Sequence, residues 1–457
     1  MGFAPPRIFK RNTRKEKKMK KFKIFAIIAA ILVLCLALGS CGGGKEEEEN
    51  GGGQKTKITL TVWGAEEDQE MLKAMCAAFA KANPDKEYKF LFGVQSESDA
   101  ADKVLNDVTS GPDVFSFASD QINKLYAGGA LARVGGAIEE NVKNINTASS
   151  IDAATITING EDQLFAYPCT EDNTLFLYYD KSVIGEDDID TLDDLLDAAQ
   201  AAGRTVHFKL NDDGWYLSSF FFAVDELGYN VTYDDKMVET AVDINYNNEK
   251  GLAVMRALAN YINHPALVIQ TDDSKLIAGL TPTADGKVEV AAGVSGTWNA
   301  ASIEGLLGDN MGVAKLPTVK IGGEDKQLTT YMGCKLVGVN GFSQNKAEAH
   351  KLAQWLTNEQ NQLIRFQTRG FGPSNKVVAA SEAVQSDPVI SAVVEQAQYS
   401  RAQKSVPSQY WTPMGALVTP FIDMKENNTL ADITDETLQE YLDALVAQIA
   451  KTAETAE

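Results

Sequence analysis

Short apolar runs alternate with helical patterns along most of this chain, and this alternation constrains the fold more than any other feature. The segment KITLTVWG (57–64) alternates apolar and polar residues with the period of a strand. Apolar residues then recur at helical spacing from Met71 to Phe79, until Pro84 ends the pattern. The strand-like EYKFLFGV (87–94) follows. The order strand, helix, strand favours an α/β fold over a sandwich or a barrel.

Later segments repeat this pattern, and several predicted strands end in acidic or aromatic residues. The strand in PDVFSFASD (112–120) ends in an aromatic ring and a carboxylate. TVHFKLNDDGWY (205–216) is predicted as a strand ending in acids and aromatics, and KVEVAAGVSGTW (287–298) as one ending in tryptophan. The segment 158–184 is predicted as a strand, an acidic turn after Tyr-Pro, and a second strand. Ligands of α/β sheets bind beyond the carboxyl ends of strands, so these ends are candidate binding positions.

The N-terminal 40 residues indicate a secreted lipoprotein. Lysines at positions 20, 21 and 23 precede an uncharged apolar run (24–38) that is too short for a comfortable membrane span. The run ends in LGSC, which resembles the lipobox of bacterial lipoproteins and implies that Cys41 is lipidated after cleavage. The alternative is a transmembrane anchor that is never cleaved. Since the residues before Met19 add nothing that a signal peptide needs, we interpret Met19 as the true start.

The Gly- and Glu-rich stretch 41–56 is predicted as a flexible tether, so we expect a protein held by lipid at the extracellular face of the cell membrane. Removing residues 1–40 takes away 10 of the 42 Lys and Arg and 1 of the 63 Asp and Glu, which leaves a net charge of −30. This acidity argues against nucleic acid as a partner, because a polyanion is bound by clustered Lys and Arg. The remaining cysteines and the three histidines are widely scattered, so no metal or cofactor is expected.

Six stretches of the mature chain occur in an order that resembles one known family. They are VWG, GPDVFSFASDQ, the segment from ING to LYYDKSVI, VAAGVSGTWNAASIE, GVNGFSQNKAEAHKLAQWL and GFGPSNK. In this order they resemble the maltose/maltodextrin-binding proteins of ABC importers, within extracellular solute-binding protein family 1. The resemblance covers residues 57 to about 449. It implies a monomeric, non-enzymatic protein that delivers an α-glucan oligosaccharide to the permease and ATPase subunits of an importer.

The resemblance also implies a two-lobed, type II periplasmic-binding-protein-like α/β fold, with a hinge between the lobes and the ligand in the interlobe cleft. We expect the chain to cross between lobes near residues 169–175, 318–330 and 372–378, where loop signals interrupt the strand pattern. The predicted ranges are 57–170 and 328–374 for the N-terminal lobe, and 171–327 and 375–450 for the C-terminal lobe.

Site residues follow from matching the family's positions one by one. In this family the loop after the first strand, the acid after Tyr-Pro and several aromatic residues near strand ends contact the sugar. Gln121 stands where the family has an arginine. The predicted ligand-binding residues are Trp63, Glu66, Glu67, Asp68, Phe117, Asp120, Gln121, Asp172, Asp212, Asp213, Trp215, Tyr216, Trp298 and Trp411.

The chemistry of these residue types supports the same interpretation. A pyranose ring has an apolar face of C–H groups and a rim of hydroxyls, so its site needs flat aromatic area beside hydrogen-bond acceptors. Carboxylates suit the rim because they accept charge-assisted bonds from hydroxyl groups. We therefore expect a sugar ring to meet Phe117 and Asp120, with Trp298 and either Trp215 or Tyr216 approaching from the other lobe.

Two other classes of function stay open at this point. A surface glycoside hydrolase would use two carboxylates that flank the glycosidic bond, and paired acids are not excluded by the sequence. The chain nevertheless carries no HExxH motif, phosphate loop or Ser/His/Asp signature. A binding protein for another solute is the second alternative. Another oligosaccharide or a polyamine would suit acids beside aromatics, whereas an amino-acid carboxylate would need an arginine.

Overall fold

The computed structural model describes residues 55–452. The predicted signal peptide, the lipidation position Cys41 and nearly all of the predicted tether lie outside these residues, as do residues 453–457. Within residues 55–452, no helix combines the length and apolar character that a membrane span requires.

The strands of the described residues follow the predicted alternation with helices. In chain order they are β1 (Thr56–Gly64), β2 (Lys86–Val94), β3 (Val114–Ala118), β4 (Thr155–Ile158), β5 (Glu161–Leu164), β6 (Ala166–Asn173), β7 (Phe176–Asp180), β8 (Thr205–Phe208), β9 (Tyr229–Tyr233), β10 (Glu239–Ile244), β11 (Leu267–Ile269), β12 (Val290–Ser295), β13 (Met311–Ala314), β14 (Thr318–Ile321), β15 (Glu324–Gln327), β16 (Thr330–Val339) and β17 (Ser400–Ala402).

The α-helices lie mostly between these strands and after them. In chain order they are α1 (Gln69–Ala82), α2 (Ala100–Asn106), α3 (Ile122–Ala127), α4 (Gly136–Ile145), α5 (Ala148–Ala153), α6 (Leu192–Ala201), α7 (Gly214–Phe222), α8 (Glu249–Asn263), α9 (Ser274–Leu280), α10 (Ala300–Leu307), α11 (Lys346–Leu356), α12 (Glu359–Arg369), α13 (Lys376–Ala379), α14 (Glu382–Gln385), α15 (Pro388–Ala397), α16 (Trp411–Ala416), α17 (Thr419–Glu426) and α18 (Asp435–Ile449).

Two mixed sheets form the centres of two lobes. In the first sheet the order is β17-β16-β3-β1-β2, and β6 also pairs with β16. Strands β1, β2 and β3 run parallel, as the predicted βαβ unit requires, while β16 is antiparallel to β3. The second sheet has the order β11-β8-β12-β7-β13, and its strand β7 is antiparallel to both neighbours. We call the parts around these sheets the N-terminal lobe and the C-terminal lobe.

Each lobe has its own apolar core. The core of the N-terminal lobe includes Leu60, Phe115 and Leu336. The core of the C-terminal lobe contains Phe208 and Leu442, together with residues of α7, α8 and α18. The predicted apolar face of α1 is confirmed, since the residues at helical spacing from position 71 to position 79 are buried. Burial of such a face supplies most of a helix's stability in a protein of this kind.

Strand pairing defines two places where the chain passes from one sheet to the other. Strand β6 belongs to the first sheet and β7 to the second, so one crossing lies between Asn173 and Phe176. Another crossing follows the β14–β15 hairpin and ends where β16 begins at Thr330. Near the third predicted crossing, the backbone N–H of Glu171 donates to the carbonyl of Gly372 at 2.9 Å. Strand β17 differs from the prediction, because it joins the first sheet although its sequence falls in the range expected for the C-terminal lobe.

Two local predictions were wrong. The acidic segment after Tyr-Pro is not a turn, because β6 continues through it to Asn173. The segment that ends in Gly-Trp-Tyr is not a strand end either, since β8 stops at Phe208 and helix α7 begins at Gly214. The carboxylate of Asp213 accepts hydrogen bonds from the backbone N–H groups of Trp215 and Tyr216 and thereby caps this helix. Both aromatic residues of the segment therefore lie in the first turn of α7.

Candidate functional site

A cavity of about 680 Å³ lies between the two lobes. Its N-terminal wall comes from the loop after β2, the end of β3 and strands β6 and β16. Its C-terminal wall comes from the β8–α7 connection, the start of α9, the turn after β12 and the start of α16. The lining residues are Ser96, Glu97, Ser98, Asp99, Ala118, Asp120, Gln121, Asn173, Lys209, Asp212, Asp213, Gly214, Trp215, Tyr216, Asp273, Trp298, Lys335, Gln403, Trp411 and Thr412.

Trp298 is held in one orientation by a carboxylate. Its Nε1 donates to Asp273 Oδ2 at 2.8 Å, and the Tyr216 hydroxyl donates to Asp273 Oδ1 at 2.8 Å. Burial raises the pKa of Tyr216 well above its usual value, so this phenol keeps the proton that it donates. Gly296 leaves room for the indole, because a Cβ there would lie 2.0 Å from the Trp298 ring. The ring is therefore fixed before any ligand arrives.

Trp215 forms a second aromatic surface beside it. The rings of Trp215 and Trp298 have centroids 5.9 Å apart and planes inclined by 50°. Among the residues that the structure describes, the buried Trp215 Nε1 has no hydrogen-bond partner. An unpaired indole N–H is costly when buried, and a ligand hydroxyl in the cavity would offer it an acceptor.

Trp411 lines the same cavity, and its backbone lies against the first residue of α7 because no side chain stands between the two helices there. A Cβ at Gly214, the first residue of α7, would lie 2.7 Å from the carbonyl oxygen of Trp411. The Trp411 ring packs edge-on against Tyr331 at 5.4 Å and against Tyr410 at 5.3 Å. Both tyrosines are fully buried, so the half-buried indole rests on a rigid support.

Asp120 faces the aromatic wall from the N-terminal lobe. Its Oδ1 accepts from Gln403 Nε2 at 3.1 Å, and the Gln403 Oε1 in turn accepts from Asn173 Nδ2 at 2.9 Å. Burial raises the pKa of Asp120 to about 6, and hydrogen bonds with Trp411 and Gln403 oppose the rise. A group with this pKa changes charge near neutral pH.

Acids outnumber cations around the cavity. Lys209 is largely neutralised, because its Nζ lies 2.9 Å from Asp213 Oδ2. Lys335 Nζ lies 3.8 Å from the centroid of the Phe371 ring, where the ring face stabilises the ammonium group. The excess of carboxylates disfavours an anionic ligand and provides many acceptors for hydroxyl groups.

A smaller cavity of about 130 Å³ adjoins the main one. Trp298, Lys335 and Glu97 line both cavities, so the cleft is continuous. The far wall of the smaller cavity includes Glu67 and Phe371.

The structure brings together most of the predicted site residues. Eight line the main cavity, and two more line only the smaller one. Those of the main cavity are Asp120, Gln121, Asp212, Asp213, Trp215, Tyr216, Trp298 and Trp411, and those of the smaller cavity are Glu67 and Asp68.

Phe117 does not reach the cleft, in contrast to the expectation. It has no exposed surface and packs against Phe115 with ring centroids 5.6 Å apart. Strand β3 lies inside the sheet, between β1 and β16, and all its residues except Ser116 are buried. The ring at position 117 therefore belongs to the core of the N-terminal lobe.

Trp63 and Glu66 also lie away from the described cavities. Trp63 pairs in register with Gly93 of β2, and a Cβ on Gly93 would lie 2.3 Å from the Trp63 ring. The indole thus fills the space that the glycine leaves on the sheet. Glu66 is exposed to solvent and lines none of the three cavities at the cleft.

Two predicted acids are buried in structural contacts. Asp68 accepts from Arg365 Nη1 and from Arg369 Nε, each at 2.9 Å. Asp172 has no exposed surface, and its Oδ2 accepts from the Thr297 hydroxyl and from the Gly372 N–H, each at 2.8 Å. Asp172 thereby joins β6 to the residue before Trp298, which is a structural link between the lobes.

Several lining residues were missed by sequence reasoning. Asp273 lies in a run of acids that resembles a solvated turn, and Lys335 and Asn173 lie within strands, where polar residues commonly face solvent. Gln403 follows β17, which had no clear strand signal. Gln121 acts in a way that the sequence did not predict, because its side chain binds Glu97 O, Ser98 O and Ala101 N. It fixes the loop after β2 rather than projecting freely toward a ligand.

Comparison with known proteins identifies relatives that cover most of the chain. Residues 74–392 match the family described as bacterial extracellular solute-binding protein. A galactooligosaccharide-binding protein of Bacillus subtilis (strain 168) is 27% identical over 397 residues, which cover 84% of this chain and 90% of that protein.

Solved structures show the same architecture. A structure solved with acarbose is 34% identical and has a TM-score of 0.73, with 86% of this chain and 98% of that chain covered. The maltodextrin binding protein MalE1 from L. casei BL23, solved without ligand, is 25% identical with a TM-score of 0.68, and 86% and 99% of the two chains are covered. The expected two-lobed type II fold is confirmed.

Proposed function

Because the chain belongs to the bacterial extracellular solute-binding protein family, we propose that it captures oligosaccharides for an ABC importer, maltooligosaccharides in the first place. The observation that carries this proposal is the arrangement of Trp215 and Trp298, two inclined rings with centroids 5.9 Å apart, opposite the carboxylate of Asp120. Such a pair supports the apolar face of a pyranose ring while acids accept from its hydroxyls.

The shape of the cleft supports an oligosaccharide rather than a small solute. A volume of about 680 Å³, continuous with a smaller cavity, lies in the range of about 300–1,000 Å³ that is usual for ligands of drug size. The cleft is also lined along its length by polar groups of both lobes. A polyamine would find the acids but would leave Lys209 and Lys335 beside its own positive charges.

The choice of an α-glucan rests on the solved relatives. One of them was solved with acarbose and another is a maltodextrin binding protein. A galactooligosaccharide is the second candidate, because a curated relative from Bacillus subtilis is a galactooligosaccharide-binding protein. Both ligand types present hydroxyls around apolar ring faces. They differ in the orientation of the hydroxyl groups that Asp120, Glu97 and Asp212 would contact.

We further propose that the protein binds without catalysis. Its curated relatives carry the names of binding proteins. A glycosidase needs one carboxyl group to donate a proton and another to attack or activate water. In the cleft, Asp273 is engaged by two aromatic donors and Asp213 by Lys209 and a helix N-terminus, which leaves both poorly suited to such roles.

Delivery to an importer would follow closure of the two lobes over the sugar. The crossings near Asn173, Thr330 and Gly372 are the proposed hinge, and the protein is proposed to act as a monomer anchored through Cys41. Hinges of this kind absorb backbone rotation while the lobes stay rigid.

Calorimetric titration with maltotriose, β-linked galactotriose, glucose and putrescine tests the assignment. We expect maltotriose to bind most tightly, with micromolar or lower dissociation constant, and glucose and putrescine to bind at least a hundredfold more weakly. Tighter binding of galactotriose would select the second candidate. Binding of putrescine alone, or release of shortened sugars during a long incubation with maltotriose, would reject the proposal.

A further inference from the structure

A third cavity, of about 360 Å³, adjoins the main cleft at Asp120 and Trp411. Ser98, Asp120, Gln121 and Trp411 line both this cavity and the main one. The two spaces are therefore adjacent along one wall.

The outer wall of this cavity is the hairpin of β9 and β10. The hairpin belongs to the C-terminal lobe in sequence, but the side chain of Met237 at its tip packs against the core of the N-terminal lobe. Tyr233, Met237 and Glu239 all line the cavity. The hairpin therefore spans the end of the cleft and contacts both lobes.

The hairpin is held in this place by specific bonds. Glu239 Oε2 accepts from the Ser408 N–H at 2.7 Å, and its Oε1 accepts from the Ser408 hydroxyl at 3.0 Å. The Lys451 ammonium donates to the Glu239 carbonyl at 2.5 Å, and Lys451 also pairs with Val242 of β10. Met237 has a left-handed backbone with φ of 61°, which closes the turn tightly.

The chemistry of the third cavity matches that of a sugar subsite. The rings of Tyr233 and Trp411, with Val406 and Pro407, provide apolar surface. Asn123, which also lines the cavity, is 5% exposed, and its Oδ1 lacks a hydrogen-bond partner within residues 55–452. A buried amide oxygen without a donor is costly, and a ligand hydroxyl would supply the donor.

We propose that this cavity is an additional subsite for a terminal hexose unit, so that the β9–β10 hairpin sets the preferred length of the oligosaccharide. The proposal rests on the oligosaccharide function proposed above. It assigns Tyr233 and Asn123 to the terminal unit only, while the trisaccharide core of the ligand contacts Trp215, Trp298 and Asp120.

The test is a series of calorimetric titrations with maltotriose, maltotetraose, maltopentaose and maltohexaose, together with galactotriose and galactotetraose. We expect the affinity of the unaltered protein to rise at least fivefold when the ligand exceeds three or four units. In Tyr233→Ala this increase should disappear, while the trisaccharide affinity stays within twofold. Thr232→Ala is the matched control, because Thr232 is exposed on the same strand and lines none of the cavities at the cleft.

A second variant protects the test against local unfolding of the hairpin. Met237→Asn keeps a residue that tolerates positive φ and removes the apolar contact, so it should also reduce the gain from longer ligands. Equal affinities for all chain lengths, or an equal loss for short and long ligands in Tyr233→Ala, would overturn the subsite while leaving the oligosaccharide function intact. Failure of every oligosaccharide to bind would overturn both.

Discussion

Asp273 accepts a hydrogen bond from the Trp298 indole at 2.8 Å and thereby fixes the ring that faces the cleft. The same carboxylate accepts from the Tyr216 hydroxyl, so one partly buried acid orients two aromatic residues from different segments of the C-terminal lobe. Fixing a ring before the ligand arrives lowers the entropy that binding has to offset. This relationship makes Asp273 a positioning residue for the aromatic wall.

Replacing Trp298 by alanine should weaken binding without unfolding the protein. We expect maltotriose affinity to fall about thirtyfold, which corresponds to roughly 2 kcal/mol, because a buried aromatic anchor is lost. Trp63→Ala is the matched control, since its ring packs on Gly93 away from the cleft. That variant should keep its affinity and show a lower melting temperature. Calorimetry and thermal melts on both variants measure these effects. A lower melting temperature with unchanged affinity in Trp298→Ala, and lost affinity in Trp63→Ala, would contradict this assignment.

Replacing Asp273 by asparagine should weaken binding indirectly. The amide keeps one acceptor, so only one of the two aromatic donors retains its bond and the Trp298 ring gains freedom. We expect about a tenfold loss of maltotriose affinity, close to 1.4 kcal/mol. Tyr216→Phe removes only the other bond and should have a smaller effect. Equal affinities for Asp273→Asn, Asp273→Ala and the unaltered protein would show that the carboxylate does not position the ring.

Asp120 should make stability depend on pH. Burial raises its pKa to about 6 in the folded protein, above the ordinary value of 3.8. Between pH 3.8 and pH 6, Asp120 is therefore protonated in the folded state and ionised in the unfolded state. Its contribution to stability is complete below pH 3.8 and is lost as the pH rises through 6.

In the unliganded protein, Asp120→Asn should be more stable than the unaltered protein at pH 7.5, by an amount on the order of 2 kcal/mol, and the difference should vanish near pH 4. Urea unfolding at the two pH values measures it. Asp99→Asn is a suitable control, because Asp99 lies on the neighbouring loop and is exposed. A stability difference that is the same at both pH values would contradict the raised pKa.

Replacing Asp68 by asparagine should destabilise the N-terminal lobe. The change leaves Arg365 and Arg369 without their carboxylate, and Arg365 is 6% exposed. Removing one partner of a buried ion pair costs about 3–5 kcal/mol, so a large drop in the urea midpoint is expected. Glu66→Gln, at an exposed position two residues earlier, should unfold like the original protein. If Asp68→Asn kept its urea midpoint but lost sugar affinity, Asp68 would be a ligand-binding residue, as the sequence predicted.

Replacing Cys41 by alanine should release the protein from the membrane. The sequence LGSC ends a signal-like apolar run, and a lipidated cysteine would be the anchor. Cell fractionation should recover the original protein with membranes and the variant in the soluble extracellular fraction. Cys76→Ala, a change in a buried thiol of the N-terminal lobe, is the control and should stay with membranes. Continued membrane association of Cys41→Ala would support an uncleaved anchor.

The spacing of apolar residues predicted the architecture well, because burial of one face imposes a characteristic spacing on each helix and each strand separately. The face of α1 and the parallel β1–β2 pair followed directly from residue spacing. The same local signal could not tell whether an aromatic residue at a strand end faces the core or the cleft. Phe117 lies near the end of one apolar strand and Trp298 just after another. Phe117 is enclosed by β16, whereas Gly296 leaves room for the Trp298 ring at the cleft.

Long-range partners decided the remaining assignments. Asp68 has its arginines about three hundred residues later in the chain, and Gln403 reaches Asp120 over a comparable separation. No local pattern carries that information. Strand β17 was missed for the same reason, since this short strand is defined only by its pairing with β16.

A crystal structure of the protein grown with maltotriose would show whether the cleft between the lobes binds the sugar. We predict a pyranose ring in contact with Trp298 and Trp215, a hydroxyl donating to Asp120, and an acceptor within about 3.2 Å of Trp215 Nε1. Galactotriose in the same place would keep the oligosaccharide site and change the sugar. An empty cleft at saturating sugar, or sugar bound on another surface, would show that the cleft is not the oligosaccharide site.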